Sequence, residues 1–269
     1  SFTITATIDT PISKDVVIGL ESIGVAIYDT DFTSDTAIEI STVAGGNGYS
    51  GDNNTKYLNH PRGVFVNEQG DVYVADRNFN RIQKWVPGAI EGEAIINGVL
   101  SPLDLYVDAE GSVFVLEPNN YRVRKWVLGA TEGVTVAGGN GQGQAANQLN
   151  NPQGFFVDKT GNIYIADYEN HRIQKWMPGA TVGLTVAGGN GQGGAANQLS
   201  YPRSVTVDDS GNIYIADNSN SRIQKWEPSA TEGTNVLWVQ DAMDISIDAN
   251  GFLYVVESNN HRVQKHSIK

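Results

Sequence analysis

The stretch PQGFFVDKTGNIYIADYENHRIQKW, Pro152 to Trp176, decides the fold. Two short apolar runs, FFV and IYIA, flank DKTGN, in which glycine sits where a tight hairpin turn needs positive φ. The second run ends at Asp167, the polar YENH follows, and RIQKW begins a third run. The residues are β-branched and aromatic with a period of two, as three short antiparallel strands require.

The same pattern is written five times. It reads PRGVFVNEQGDVYVADRNFNRIQKW from Pro61, PLDLYVDAEGSVFVLEPNNYRVRKW from Pro102 and PRSVTVDDSGNIYIADNSNSRIQKW from Pro202, with a worn copy, AMDISIDANGFLYVVESNNHRVQKH, from Ala242. Arg81, Arg122, Arg172, Arg222 and Arg262 mark the register, at spacings of 41, 50, 50 and 40 residues. A fourth strand follows each PGATEG-type turn, as in VTVAG from Val134 and LTVAG from Leu184. Four antiparallel strands per 40–50 residues make one blade of an all-β propeller. The longer copies contain an extra glycine-rich loop, VAGGNGQGQAANQL from Val136 and VAGGNGQGGAANQL from Val186, with a looser version from Val43. The second and fifth units do without that loop, so the blade itself does not require it.

These units resemble NHL repeats, named for an Asn-His-Leu signature; ENHRIQKW from Glu169 and NNHRVQKH from Asn259 come closest. The resemblance covers residues 41–269. It implies a β-propeller, most often of six blades, and a family that includes protein- and RNA-binding modules, bacterial secreted proteins and metal enzymes of the amidating-lyase type. Residues 1–40 carry no such unit; SKDVVIGL, GVAIYDTDFT and AIEI resemble half of a Calx-β domain. Repeat counting gives five blades, with IEISTVAGG (from Ile38) as the fourth strand of the last one; the family norm gives six, with residues 1–40 supplying a blade.

The chain has 269 residues, a net charge of −12, 30 glycines and no cysteine. An acidic chain is repelled by phosphate backbones and anionic lipid, which argues against nucleic acid as a partner. No apolar run is long enough to cross a membrane as a helix. Lack of cysteine removes disulfides, thiolate metal sites and a cysteine nucleophile. The expected location is secreted or on the cell surface.

The repeated arginines read as partners of Asp76, Asp167 and Asp217, and Trp85, Trp126, Trp176 and Trp226 as packing residues between blades, with His266 replacing the tryptophan in the fifth copy. Four histidines (His60, His171, His261 and His266) do not cluster in sequence as a zinc site would need. Arg62, Asp104, Gln153, Arg203 and Asp244 read as entering the channel beside the prolines, and Asp104 and Asp244 are the candidate ligands for a Ca2+ ion. No nucleophile motif is present, and no catalytic residue is nominated.

The distinctive feature is the uncharged loops. Asn140, Gln142, Asn147 and Gln148 offer amide donors and acceptors, and Asn190, Gln192, Asn197 and Gln198 repeat the set, with Asn47 in the looser version. Beside Tyr57 and Tyr201 they suit hydroxyl-bearing ligands. The expectation is a non-catalytic, multivalent carbohydrate-binding module acting on glycans or a surface protein. The alternatives are a metal-dependent hydrolase or lyase at the channel mouth, and a protein-binding scaffold.

Overall fold

The computed structural model describes residues 42–45, 54–248 and 250–268. The Calx-β-like segment and Asn47 lie outside them, as do residues 38–41 of the stretch read as a closing strand.

The described chain is a five-bladed β-propeller. Blade 1 comprises β1 (Pro61–Val66), β2 (Val72–Asp76), β3 (Arg81–Trp85) and β4 (Glu93–Asn97). Blade 2 comprises β5 (Asp104–Val107), β6 (Val113–Glu117), β7 (Arg122–Trp126) and β8 (Val134–Gly138). Blade 3 comprises β9 (Phe155–Val157), β10 (Ile163–Asp167), β11 (Arg172–Trp176) and β12 (Leu184–Gly188). Blade 4 comprises β13 (Pro202–Val207), β14 (Ile213–Asp217), β15 (Arg222–Trp226) and β16 (Thr234–Trp238). Blade 5 contributes β17 (Ala242–Ile247), β18 (Phe252–Glu257) and β19 (Arg262–Ser267). Every blade is a simple antiparallel meander, as the repeat pattern predicts.

The first hairpin of each blade is set by its own aspartate, or in blade 1 by Asn67, whose Oδ1 accepts the N–H groups of Gln69 and Asp71. Asp158 Oδ1 accepts the N–H groups of Thr160 and Asn162 at 2.9 Å, and Asp208 and Asp248 bond their turns the same way. The second strands of blades 1–4 are buried on both faces and form the core between blades, while β18 of blade 5 alternates buried and half-buried residues. Ile165, Val157 and Ile163 of blade 3 pack with Leu116, Val123 and Ala137 of blade 2. Trp126, Trp176 and Trp226 close the junctions with the preceding blades, and Trp85 packs in a cluster with Val72 and Val74. Gly133 and Gly183 lie against the Trp126 and Trp176 rings, where a Cβ would collide with the indole. Ala44 packs beside Leu58, Val64, Val72 and Trp85, taking against blade 1 the place that Ala137 takes against blade 3.

Candidate functional site

Each long loop begins beside the second turn of one blade and then fills the gap to the next. Gly139 N–H bonds the carbonyl of Tyr121 in blade 2, and Gly183 N–H of blade 3 bonds the carbonyl of Ala146. Leu149 and Leu199, near the loop ends, are fully buried in the inter-blade clusters. From below, Arg172 donates to the carbonyls of Gln144, Ala145 and Gln148, while Arg222 does the same to Gly194, Ala195 and Gln198. Before blade 1, Arg81 takes the carbonyls of Asn54 and Tyr57. Each arginine is fixed by its aspartate, at 2.8 Å for Arg81–Asp76 and 2.7 Å for Arg172–Asp167 and Arg222–Asp217.

The blades without the long loop are built differently. In blade 2 Glu117 replaces the aspartate, and Arg124 stands where Gln83, Gln174 and Gln224 stand in blades 1, 3 and 4. Glu117 binds both Arg122 and Arg124, and Arg124 lies 4.3 Å above the Trp126 ring. A longer acid and a second cation thus occupy the space that loop carbonyls fill elsewhere.

This geometry sorts the amides nominated from sequence. Asn140 Nδ2 bonds the carbonyls of Gly138 and Asn147, and Gln148 Nε2 bonds those of Asn140 and Gln142. Asn190 bonds Gly188 and Asn197 and Gln198 bonds Asn190, so the second loop repeats the arrangement. These four side chains are taken up by the loop's own backbone. Asn147 is half-buried, Asn197 is exposed, and Tyr57 is half-buried with its carbonyl held by Arg81. Gln142 and Gln192 instead face the blade junctions, where their amides donate to Asn150 Oδ1 and Ser200 Oγ.

Those junctions hold a feature not anticipated from the sequence. The residue before the proline that leads into each inner strand (Ala242 in blade 5), namely His60, Ser101, Asn151, Tyr201 and Asp241, has φ between 47° and 55°. The residue before each repeated arginine, namely Asn80, Tyr121, His171, Ser221 and His261, also has φ between 51° and 54°. The left-handed region disfavours non-glycine residues, most of all bulky ones such as tyrosine. The first position carries a different side chain in every repeat and the second repeats only histidine, although a proline follows the first in four repeats and an arginine follows the second in all five. The signal was therefore present in the aligned repeats as variability rather than as a motif.

The paired positions meet at the junctions. Ser101 N–H bonds Asn80 Oδ1 at 2.8 Å, and Tyr201 N–H bonds His171 Nδ1 at 3.2 Å. Between blades 3 and 4 the Tyr201 ring sits 4.9 Å from Tyr168 and 4.6 Å from His171, an aromatic plug. Between blades 2 and 3 the smaller Asn151 takes the place of Tyr201 and leaves a pocket of 320 Å³. Tyr121, Gln142, Asn150, Asn151 and Glu169 line it, with the Tyr121 hydroxyl 3.4 Å from Gln142 Oε1. Two almost identical loops therefore border unlike junctions.

The five residues read from sequence as entering the channel beside the prolines occupy two register positions. Strand pairing aligns Asp104 with Gly63, Ser204 and Asp244, whereas Arg62 and Arg203 stand one residue earlier. Neighbouring inner strands nearly touch at the deeper position, where a Cβ on Gly63 would lie 2.8 Å from the Cα of Asp104. Asp104 accepts N–H groups from Leu105 and Phe155, and Asp244 accepts the Ser204 hydroxyl and the Ile245 N–H. Burial first, and the charge of Asp244 second, push Asp104 up to about 7. Both lie deep in the ring, yet Asp244 keeps surface open to the channel.

A Ca2+ ion would need some six to eight oxygens. Among the described residues no group of three acidic or histidine side chains gathers, and both oxygens of Asp104 and Oδ1 of Asp244 already accept hydrogen bonds. The donor set does not fit a resident cation.

Comparison with known proteins agrees with this architecture. The NHL repeat model matches residues 58–85, 149–176, 199–226 and 241–265. Blade 2, with its Glu117 and Arg124, falls between the matches. No curated protein sequence matches the chain. Among solved structures, a nidogen/laminin complex aligns at 19% identity and a TM-score of 0.65, covering 79% of this chain and 78% of that one. A gluconolactonase from Xanthomonas campestris aligns at 13% identity and 0.61, covering 78% and 76%. A streptogramin B lyase aligns at 16% and 0.56, covering 77% and 68%. At such identities the likeness is one of fold, and that fold serves enzymes and binding proteins alike.

Proposed function

We propose that this five-bladed propeller with NHL repeats is a recognition module that takes a hydroxyl-bearing ligand, a glycan first of all, in the pocket between blades 2 and 3. The observation that carries this reading is the lining of that pocket: one tyrosine, one carboxylate and four side-chain amides, beside Pro118. Amides and a carboxylate supply paired acceptors and donors for sugar hydroxyls, and a tyrosine ring suits the C–H face of a pyranose. A volume of 320 Å³ lies at the small end of the range of about 300–1,000 Å³ for ligand pockets, which fits one or two sugar rings. The variable left-handed positions around the same face support recognition, because a scaffold of repeated residues holds them while their chemistry differs. A secreted or surface location belongs to this reading.

The test is a glycan array probed with labelled wild type and Tyr121→Ala, each with and without calcium. The reading expects hits that share a terminal sugar and are lost in Tyr121→Ala, with unchanged circular dichroism. A blank array for wild type in both conditions would overturn it.

A second reading, a protein-binding scaffold, is favoured by one observation. Ile90, Leu128 and Trp238 are 85%, 80% and 73% exposed on the outer turns and outer strand of blades 1, 2 and 4. Large exposed apolar side chains suit a protein surface better than a sugar.

A further inference from the structure

Among the described residues no carboxylate holds Arg203. Arg81, Arg122, Arg124, Arg172, Arg222 and Arg262 each hold a carboxylate. Arg203 enters no ion pair among the described residues, although the chain carries 30 acidic residues against 18 basic ones. Its Nε is buried with no hydrogen-bond partner, and its guanidinium lies 5.4 Å over the Tyr168 ring. A buried N–H without an acceptor is costly and calls for an explanation.

The surroundings point to an anion. Arg203 and Arg62 follow the prolines that open β13 and β1, one residue outward of the Asp104–Asp244 position. Arg62 is lowered from its usual pKa by burial first, and then by the positive charges of Arg77 and Arg203. Three arginines thus share one electrostatic neighbourhood on the face that carries the pocket. Glu169, next to Tyr168, is exposed, and it lines the neighbouring pocket. Like charges at such a mouth repel one another, and a bound anion relieves the repulsion. Arginine's planar fork matches a carboxylate, and stacking on tyrosine holds that fork flat.

We infer that Arg203, stacked on Tyr168 and backed by Arg62 and Arg77, is a binding site for the carboxylate of a small ligand at the channel mouth. An oxygen arriving at the edge of the guanidinium supplies the acceptor that Nε lacks, once the fork turns toward the channel. The site rests on observations separate from those behind the glycan pocket, and it stands or falls without them.

The test follows thermal unfolding against increasing sodium D-glucuronate, with D-glucose as the neutral control and ionic strength held by NaCl. Wild type is expected to show a saturable rise in midpoint with glucuronate that glucose does not reproduce. Arg203→Gln should weaken the apparent affinity at least tenfold. Lys159→Gln removes a charge at an exposed pair with Asp209 and should leave the affinity unchanged. Arg203→Lys, which keeps the charge but loses the fork, should weaken binding severalfold and serves should the glutamine variant fail to fold. No saturable effect in wild type, or equal affinity in wild type and Arg203→Lys, would overturn the inference.

Discussion

Asp167 and Arg172 form a buried ion pair, Nε to Oδ2 at 2.7 Å, in which the aspartate is fully covered and the arginine side chain 9% exposed. The other oxygen of Asp167 accepts the N–H of Asn150 at 2.7 Å, while the far end of Arg172 holds three loop carbonyls. One ion pair therefore fixes both the turn of blade 3 and the loop that reaches it from blade 2. Removing one member of a buried pair leaves the other charge stranded, at a cost of about 3–5 kcal/mol. Arg172→Ala is expected to lose that much in urea unfolding. A loss below 1 kcal/mol would show that the loop is held by something else.

The five blades were legible because the chain repeats its own pattern, down to the aspartate or asparagine and the glycine of each hairpin. The role of the loops was not. A glycine- and amide-rich stretch reads the same whether it presents its side chains or bonds them to itself. Only the positions of Arg172 and Arg222 beneath the carbonyls separate the two. What the sequence does not separate is the register of the channel residues: Arg62 and Asp104 both lie near a proline, but they occupy successive positions. The left-handed residues were hidden because a search for repeats discards whatever varies, and Asn151 and Tyr201 vary.

The indole packing makes a second quantity measurable. Gly133 leaves no room for a Cβ beside Trp126, whose ring is 4% exposed. Forcing a methyl into a filled junction costs about 1–3 kcal/mol. Gly133→Ala should therefore lower stability by that amount, with Gly88→Ala as the contrast for strain alone, since it has positive φ but open space around it. Equal losses at the two sites would argue that backbone conformation, not Trp126, sets the cost.

Asp104 makes stability depend on pH. Its folded pKa of about 7 lies above the ordinary 3.8, so between those values the folded chain holds a proton that the unfolded chain has released. Stability contributed by this group declines as pH rises from about 4 to about 7 and is level beyond. Asp104→Asn, which removes the repulsion from Asp244, should flatten that part of the profile. An unchanged slope in the variant would assign the dependence to other groups.

The two blade junctions predict an exchange of character. Tyr201→Asn should open between blades 3 and 4 the kind of pocket that Asn151 leaves between blades 2 and 3, while Asn151→Tyr should fill the existing one. With a sugar taken from the array, titration calorimetry of wild type is expected to give one site per chain. Asn151→Tyr should abolish that binding. Binding by Asn151→Tyr at wild-type affinity would place the ligand elsewhere.

Hydrogen–deuterium exchange with and without that sugar tests the central claim most directly, because it reports where a ligand sits without altering the protein. The account predicts slowed exchange in the turn at 118–121, in the segment 142–151 and around Glu169, with the matching loop residues 192–201 of the plugged junction unchanged. Protection confined to the outer turns near Ile90 and Leu128, or spread equally over both loops, would contradict it.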